Sequence, residues 1–234
     1  MISIAMINLV AFVVFLICVL AYSVKLKIGM KKPATTKRGM LNIFYQLWVN
    51  GMSESEKKIE AIQTLRNLIM SVTFLSSTML ILLGLLVQSF SNGIDELLIN
   101  FSSISSTTLV QYKMLVFFAV LVFSLIMFLL SLRQLVRFSI LIGIPAPKIE
   151  KTGTKEIQKK EKDVCTLDAK AIQSEVFLKA MNRFTYGMRG IYYVVAIILW
   201  FISAYAFIVA TIILTIMLIR YHDIKSPCVE ESPI

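Results

Sequence analysis

Histidine and cysteine are scarce in this chain, which limits the kinds of site that it can build. One histidine is present, His222, and the three cysteines Cys18, Cys165 and Cys228 lie far apart in the sequence. No CxxC pair and no histidine spacing typical of a metal site occurs. We therefore expect no metal, no cofactor and no disulfide framework.

Charge is absent from four long stretches. Runs of 24, 28, 19 and 30 residues contain no lysine, arginine, aspartate or glutamate, and 57% of the chain is apolar. A hydrocarbon layer of ~30 Å takes roughly 20 helical residues to cross. The sequence therefore predicts an all-α integral membrane protein of the cell membrane with four transmembrane helices.

Carboxylates and histidine are also missing from the interior of every predicted span, and neither HExxH nor GxxxxGK[ST] occurs. These absences remove the usual parts of a carboxylate proton relay, an aspartyl dyad or a histidine-based protease. A serine or lysine enzyme would need a base that the sequence does not show. We therefore expect a noncatalytic protein.

Its net charge of +10 is explained by basic inner loops, so no nucleic-acid partner is expected.

Basic residues are concentrated between the predicted spans. Of the 24 lysines and arginines, 21 fall in or beside two segments, which leaves Lys113, Arg220 and Lys225 elsewhere. The positive-inside rule makes these two segments cytoplasmic and places both termini outside.

This topology predicts the boundaries of each segment. In the first half of the chain they are a first transmembrane helix at 1–24, a polybasic cytoplasmic segment at 25–52, a cytoplasmic arm with the second transmembrane helix at 53–90, and an outer loop at 91–111. In the second half they are a third transmembrane helix at 112–143, a charged cytoplasmic linker at 144–166, an amphipathic cytoplasmic arm with the fourth transmembrane helix at 167–220, and an outer tail at 221–234.

Two local patterns refine these boundaries. Ser53 and Glu56 have the spacing of a capping box, which predicts a helix that begins at Ser53. The aromatic run at 44–48 is suited to a membrane headgroup region. The fourth transmembrane helix is expected to cover roughly 190–219 without interruption.

One face of the second span carries polar and small residues. Arg66, Thr73, Ser77, Gly84 and Gln88 follow one another at spacings of seven, four, seven and four, so they share a helical face that should contact protein. The face predicts either a polar pathway or close packing, and packing is the commoner outcome. The candidate packing and polar-face residues are Thr73, Ser77, Thr78, Gly84, Gly187 and Gly190.

Arginines recur near the predicted cytoplasmic ends of three helices. Convergent guanidinium groups bind phosphates and carboxylates, which points to an anionic lipid headgroup, a small anion or an acidic partner. The alternative is that these arginines only follow topology rules, extend to the headgroups or pair with nearby acids. The candidate binding residues are Arg66, Asn67, Arg133, Gln134, Arg137, Asn182, Arg183 and Arg189.

Three stretches together resemble a known family. They are QTLRNLIMSVTFLSSTMLILLGLL at 63–86, LRQLVRFSILIGIPAP at 132–147 and MNRFTYGMRGIYYVVAIILWF at 181–201. They are similar to the membrane family catalogued as domain of unknown function 599, over about residues 5–225. The resemblance implies a fold and no known reaction. WFISAY at 200–205 lacks the Gly-Pro that often follows the tryptophan in that family, so we expect no kink there.

Two functions remain open at this stage. The first is an accessory subunit or homo-oligomer whose cytoplasmic arginine cluster binds membrane lipids through their anionic headgroups, or binds an acidic membrane-protein partner. The second is a small channel or transporter for an anion or solute, formed by oligomerisation, because four short-loop helices alone enclose little space. Flux in liposomes would distinguish the second from the first.

Overall fold

The computed structural model of this chain describes residues 4–31, 37–54, 58–91, 106–144, 149–150 and 168–223. Within these residues it is helical and contains no strand. The helices are α1 (Ile4–Lys31), α2 (Lys37–Glu54), α3 (Lys58–Ser91), α4 (Ser106–Gly143), α5 (Ala169–Ile202) and α6 (Ala204–Met217), followed by a π-helical segment (Leu218–Asp223). Most of the predicted outer loop and charged linker, and the tail beyond Asp223, lie outside the described residues.

Four of these helices are long and apolar enough to cross a membrane. The candidate spans are Met6–Gly29, Ile59–Ser89, Leu109–Gly143 and Ala169–Ile202. A helix satisfies its backbone hydrogen bonds internally, which a segment in hydrocarbon must do. The prediction of an all-α chain with four apolar membrane-type helices is confirmed.

The segment after α1 is more ordered than the sequence indicates. Ser53 lies in the last turn of α2, and α3 begins at Lys58, so the prediction of a helix that begins at Ser53 is wrong. The residues before Ser53 already form a helix, α2, which packs against other helices of the chain. The ring of Trp48 on α2 lies 5.3 Å from that of Phe177 and 6.4 Å from that of Phe138. Tertiary contacts thus hold residues that the sequence pattern assigns to the headgroup region.

The chain forms two compact units. The first comprises Met1–Asn42, Met79–Ser124 and Met188–Ile234, and the second comprises Ile43–Thr78 and Leu125–Gly187. The helices α3, α4 and α5 each contribute residues to both units.

The second unit has an aromatic core with polar links between helices. The ring of Phe177 lies 4.8 Å from that of Phe138 on α4, and 5.6 Å from that of Tyr45 on α2. Ser131 donates a hydrogen bond of 2.8 Å to the carbonyl of Ala180, and the Gln173 amide donates one of 3.0 Å to the carbonyl of Leu141. Bonds of this kind join helices in membranes, where the apolar surroundings supply little driving force for association.

The first unit contains a reversal of the chain at Ser203. The Tyr193 hydroxyl lies 3.3 Å from Thr215 Oγ1, and the Trp200 ring stacks on that of Phe207 at 4.7 Å. In one continuous helix, residues 193 and 215 would lie about 33 Å apart at ~1.5 Å per residue. The helix α6 therefore turns back along α5, and the predicted uninterrupted helix over 190–219 is wrong.

The reversal rests on one extended residue. Ser203 has φ −155° and ψ 136°, and α6 begins directly after it. Serine is common at such a position, although the Ser203 side chain makes no capping hydrogen bond here, and no Gly-Pro is needed. The expectation of no kink in WFISAY is therefore also wrong.

Candidate functional site

Three of the candidate arginines lie on exposed surfaces of the second unit. Arg66 on α3 and Arg133 and Arg137 on α4 are all exposed. On α4 the buried side is formed by residues such as Ser131, Leu135 and Phe138, and at 3.6 residues per turn Arg133 and Arg137 lie on the opposite side. Among the described residues none of these three side chains has an ion pair. They face the surroundings rather than the interior of their unit.

Other candidates of the second unit lie closer to its interior. Arg183 is half-buried, and its Nη1 donates to the carbonyl of Leu130 at 3.5 Å, the long limit of a hydrogen bond. Gln134 and Asn182 are half-buried, whereas Asn67 is exposed. Arg183 therefore links α5 to α4.

Arg189 belongs to the first unit and has aromatic neighbours. Its guanidinium lies 5.7 Å from the centre of the Tyr22 ring and 6.0 Å from that of Tyr192. A guanidinium within about 6 Å of an aromatic face is attracted by the electrons of the ring. Arg189 therefore connects α5 to α1 through cation–π contacts.

The polar face of α3 points away from the rest of the described chain. Thr73, Ser77, Gly84 and Gln88 are exposed, and Thr78 is half-buried. The threonine and serine hydroxyls donate to carbonyls four residues earlier, as in the 3.0 Å bond from Ser77 to Thr73. Because these hydroxyls are satisfied within the helix, they can face lipid at low cost.

Two candidate glycines are places of close helix packing. A Cβ on Gly187 would lie 2.7 Å from the Phe128 ring, and a Cβ on Gly190 would overlap with Ser124 Oγ and lie 3.0 Å from Ser124 Cβ. Phe128 and Ser124 are fully buried. These glycines let α5 approach α4 at two successive turns, once in each unit.

One polar contact at the end of α5 involves a residue that was not among the candidate site residues. Lys113 Nζ donates a 2.9 Å hydrogen bond to the backbone carbonyl of Trp200, three residues before the reversal at Ser203. The same ammonium lies 5.6 Å from the centre of the Trp200 ring. Cations are favourable at helix C-termini, where carbonyls lose their helical partners. Lys113 therefore caps the end of α5.

Trp200 is held from several sides. Its indole Nε1 donates a 3.0 Å hydrogen bond to Asn8 Oδ1 on α1, and its ring also stacks near that of Phe12. Lys113 borders the uncharged run at 114–132, whereas Asn8 is a polar residue within the first uncharged run, and these positions are the only signs in the sequence that could have indicated them. Among the described residues no group of three or more His, Cys, Asp or Glu side chains could hold a metal ion.

Comparison with known proteins identifies the family of the chain. The family model described as "Protein of unknown function, DUF599" matches residues 10–228. The chain therefore belongs to this family, as its resemblance indicated. No curated protein and no solved structure matches it.

The contrast between the glycines gives a first prediction. Gly190→Ala should lower the stability of the protein by roughly 1–3 kcal/mol, because the new methyl group overpacks against Ser124. Gly84→Ala is the matched control: nothing lies within 4 Å of its added Cβ, and alanine favours a helix over glycine by roughly 0.5–1 kcal/mol. Thermal unfolding in detergent, followed by circular dichroism, measures both.

The double variant Ser124→Gly with Gly190→Ala tests the cause. It moves the small residue to the other helix, so it should recover part of the lost stability. Equal unfolding temperatures for Gly190→Ala and Gly84→Ala would contradict the close packing of α5 on α4.

Proposed function

We propose that this DUF599 member is a noncatalytic membrane protein that binds anionic lipid headgroups through Arg66, Arg133 and Arg137. The observation that carries the proposal is the exposure of these three guanidinium groups on α3 and α4. An ion pair with an acid of the same unit would have neutralised them, but no such pair occurs among the described residues. Their charge is available to a ligand from outside the chain.

Phosphate is the anion that best suits these groups. A guanidinium presents planar N–H donors that can hold two phosphate oxygens at once. A basic residue near an anionic membrane surface contributes about 1 kcal/mol to attraction. Arg133 and Arg137 are one turn apart on the same exposed side of α4, so one or two neighbouring headgroups can reach both.

The direction of α6 supports an orientation that places more basic residues on the cytoplasmic side of the membrane. Arg189 lies four residues before Tyr193, and Arg220 lies five residues after Thr215, so the Tyr193–Thr215 contact brings both arginines to a similar depth. We infer that the C-terminal end of the chain is cytoplasmic, in place of the external end predicted from one uninterrupted helix. Among the described residues, Lys113 is then the one basic residue that belongs near the outer side.

A channel formed by oligomerisation is less well supported. It would need the polar face of α3 to line an enclosed path, and the hydroxyls of this face are already bonded to their own helix. The face therefore does not require a second copy of the chain to cover it. Binding of an acidic partner protein at the exposed arginines is distinguished from lipid binding by co-purification.

Removal of two arginine charges should release bound lipid. We expect the double variant Arg133→Gln/Arg137→Gln to bind phosphatidylglycerol at least about tenfold more weakly than the unchanged protein, from the loss of about 1 kcal/mol per residue. Native mass spectrometry of the detergent-purified protein, titrated with phosphatidylglycerol or phosphatidylcholine, gives the bound fraction of each.

Two controls make this result specific. Lys179→Gln removes an exposed charge of the same unit that is already paired with Glu175, so it should leave lipid binding nearly unchanged. The double variant Arg133→Lys/Arg137→Lys keeps the charge and should retain part of the binding. Undiminished phosphatidylglycerol binding in the glutamine variant would refute the proposed site, and co-purification of an acidic protein lost in that variant would favour a protein partner instead.

The reactivity of Cys228 reports on which side of the membrane the C-terminal end of the chain lies. In a Cys18→Ser/Cys165→Ser background, Cys228 should resist a membrane-impermeant maleimide in intact cells and react after the membrane is opened. This result follows from the return of α6 toward the side on which α5 begins.

Two further single-cysteine proteins calibrate the labelling. One keeps only Cys165, in the predicted cytoplasmic linker, and should behave like Cys228. The other carries Ser103→Cys, in the predicted outer loop, without the native cysteines, and should react in intact cells. Reaction of Cys228 in intact cells, matching the Ser103→Cys protein, would mean that the C-terminal end is external.

A further inference from the structure

The first unit contains a cavity beside the end of α5. Its volume is about 400 Å³, within the ~300–1,000 Å³ of typical small-molecule sites. Its lining includes Asn8, Leu9, Phe12, Tyr112, Lys113 and Trp200. They come from α1, α4 and α5 of one unit, so the cavity is a feature of that unit alone.

The walls of this cavity are apolar and partly open. Leu9 is 63% exposed and Tyr112 is 59% exposed, whereas Trp200 at the back is buried. Apolar side chains at an open rim suit a ligand that continues out of the cavity along a hydrocarbon-facing surface. A flexible acyl chain has this shape and chemistry.

The charged group of the cavity is the Lys113 ammonium. It has three N–H donors, one of which goes to the Trp200 carbonyl. That carbonyl is at the end of a helix whose dipole amounts to about half an elementary charge, so it compensates the ammonium only in part. No carboxylate pairs with Lys113 among the described residues. A half-buried charge in apolar surroundings is costly unless an opposite charge accompanies it.

We propose that this cavity binds one anionic phospholipid, with its phosphate on the Lys113 ammonium and part of one acyl chain between Leu9, Phe12 and Trp200. The phosphate supplies the charge that the carbonyl lacks, and the acyl chain fills the apolar walls. This site is separate from the exposed arginines in both residues and unit, so it does not rest on the function proposed for them.

Trp200 provides a direct reporter of an acyl chain. The chain has two tryptophans, so Trp48→Phe leaves Trp200 as the only one. Bromine atoms on an acyl chain quench tryptophan fluorescence at short range. In detergent, phosphatidylglycerol with brominated chains should quench Trp200 saturably, and at about fivefold lower concentration or less than brominated phosphatidylcholine, the ratio expected for one basic contact near an anionic headgroup.

Variants at two positions separate charge from shape. Lys113→Gln should abolish the preference for phosphatidylglycerol, and Lys113→Arg should keep it. Val116→Phe, at another wall of the cavity, should weaken quenching by both brominated lipids while the lysine is unchanged. The Arg133→Gln/Arg137→Gln protein, altered only in the second unit, should behave as the parent does.

Several results would overturn the proposal. Equal titration curves for the two brominated lipids, or a preference that survives Lys113→Gln, would reduce Lys113 to a helix cap. If Lys113→Gln fails to fold, full quenching in Val116→Phe would still exclude an acyl chain from the cavity. Quenching by a brominated fatty acid but not by brominated phosphatidylglycerol, or displacement of the phospholipid by inorganic phosphate alone, would exclude a phospholipid as the occupant.

Discussion

The end of α5 must satisfy its carbonyl groups in apolar surroundings, and the hydrogen bond from Lys113 satisfies that of Trp200. Extended Ser203 carries the following amides away from their helical positions, which would otherwise leave carbonyls without donors. A hydrogen bond from a charged donor stabilises by about 1.5–3 kcal/mol. The turn back into α6, the stacking of Phe207 on Trp200 and the cavity beside them all lie around this one capped end.

The two units use polar groups differently. In the first unit, Lys113, Asn8 and Arg189 interact with the backbone and rings of α5 and its neighbours, so their charge and polarity hold helices together. In the second unit, Ser131 and Gln173 have this linking role, while Arg133 and Arg137 face outward. This division explains why the outward arginines are better candidates for lipid binding than the half-buried Arg183 or the ring-bound Arg189.

Charge-free runs were sufficient to predict four membrane-type helices, because length and hydropathy alone determine that a segment can cross. The reversal at Ser203 could not be predicted from the sequence pattern. Residues 190–219 are equally apolar in one long helix or in two short ones, and a single serine in such a run is ordinary.

The sequence pattern did not predict α2 as a packed helix for a related reason: whether Trp48 contacts lipid headgroups or Phe138 depends on tertiary packing. The spacing of the polar residues on α3 predicts a shared face, but the direction of that face could not be predicted, since hydroxyls bonded to their own helix tolerate lipid and protein alike.

A distance measurement across the reversal tests the central claim most directly. Val195 on α5 and Met217 on α6 are both exposed, so each can be replaced by a spin-labelled cysteine in a protein without native cysteines. Pulsed electron paramagnetic resonance in lipid should give a main distance below about 20 Å if α6 turns back along α5, since packed helices lie about 10 Å apart. A single distance near 33 Å, the length of 22 residues in one straight helix at ~1.5 Å each, would contradict the reversal and the roles assigned to Lys113 and Trp200.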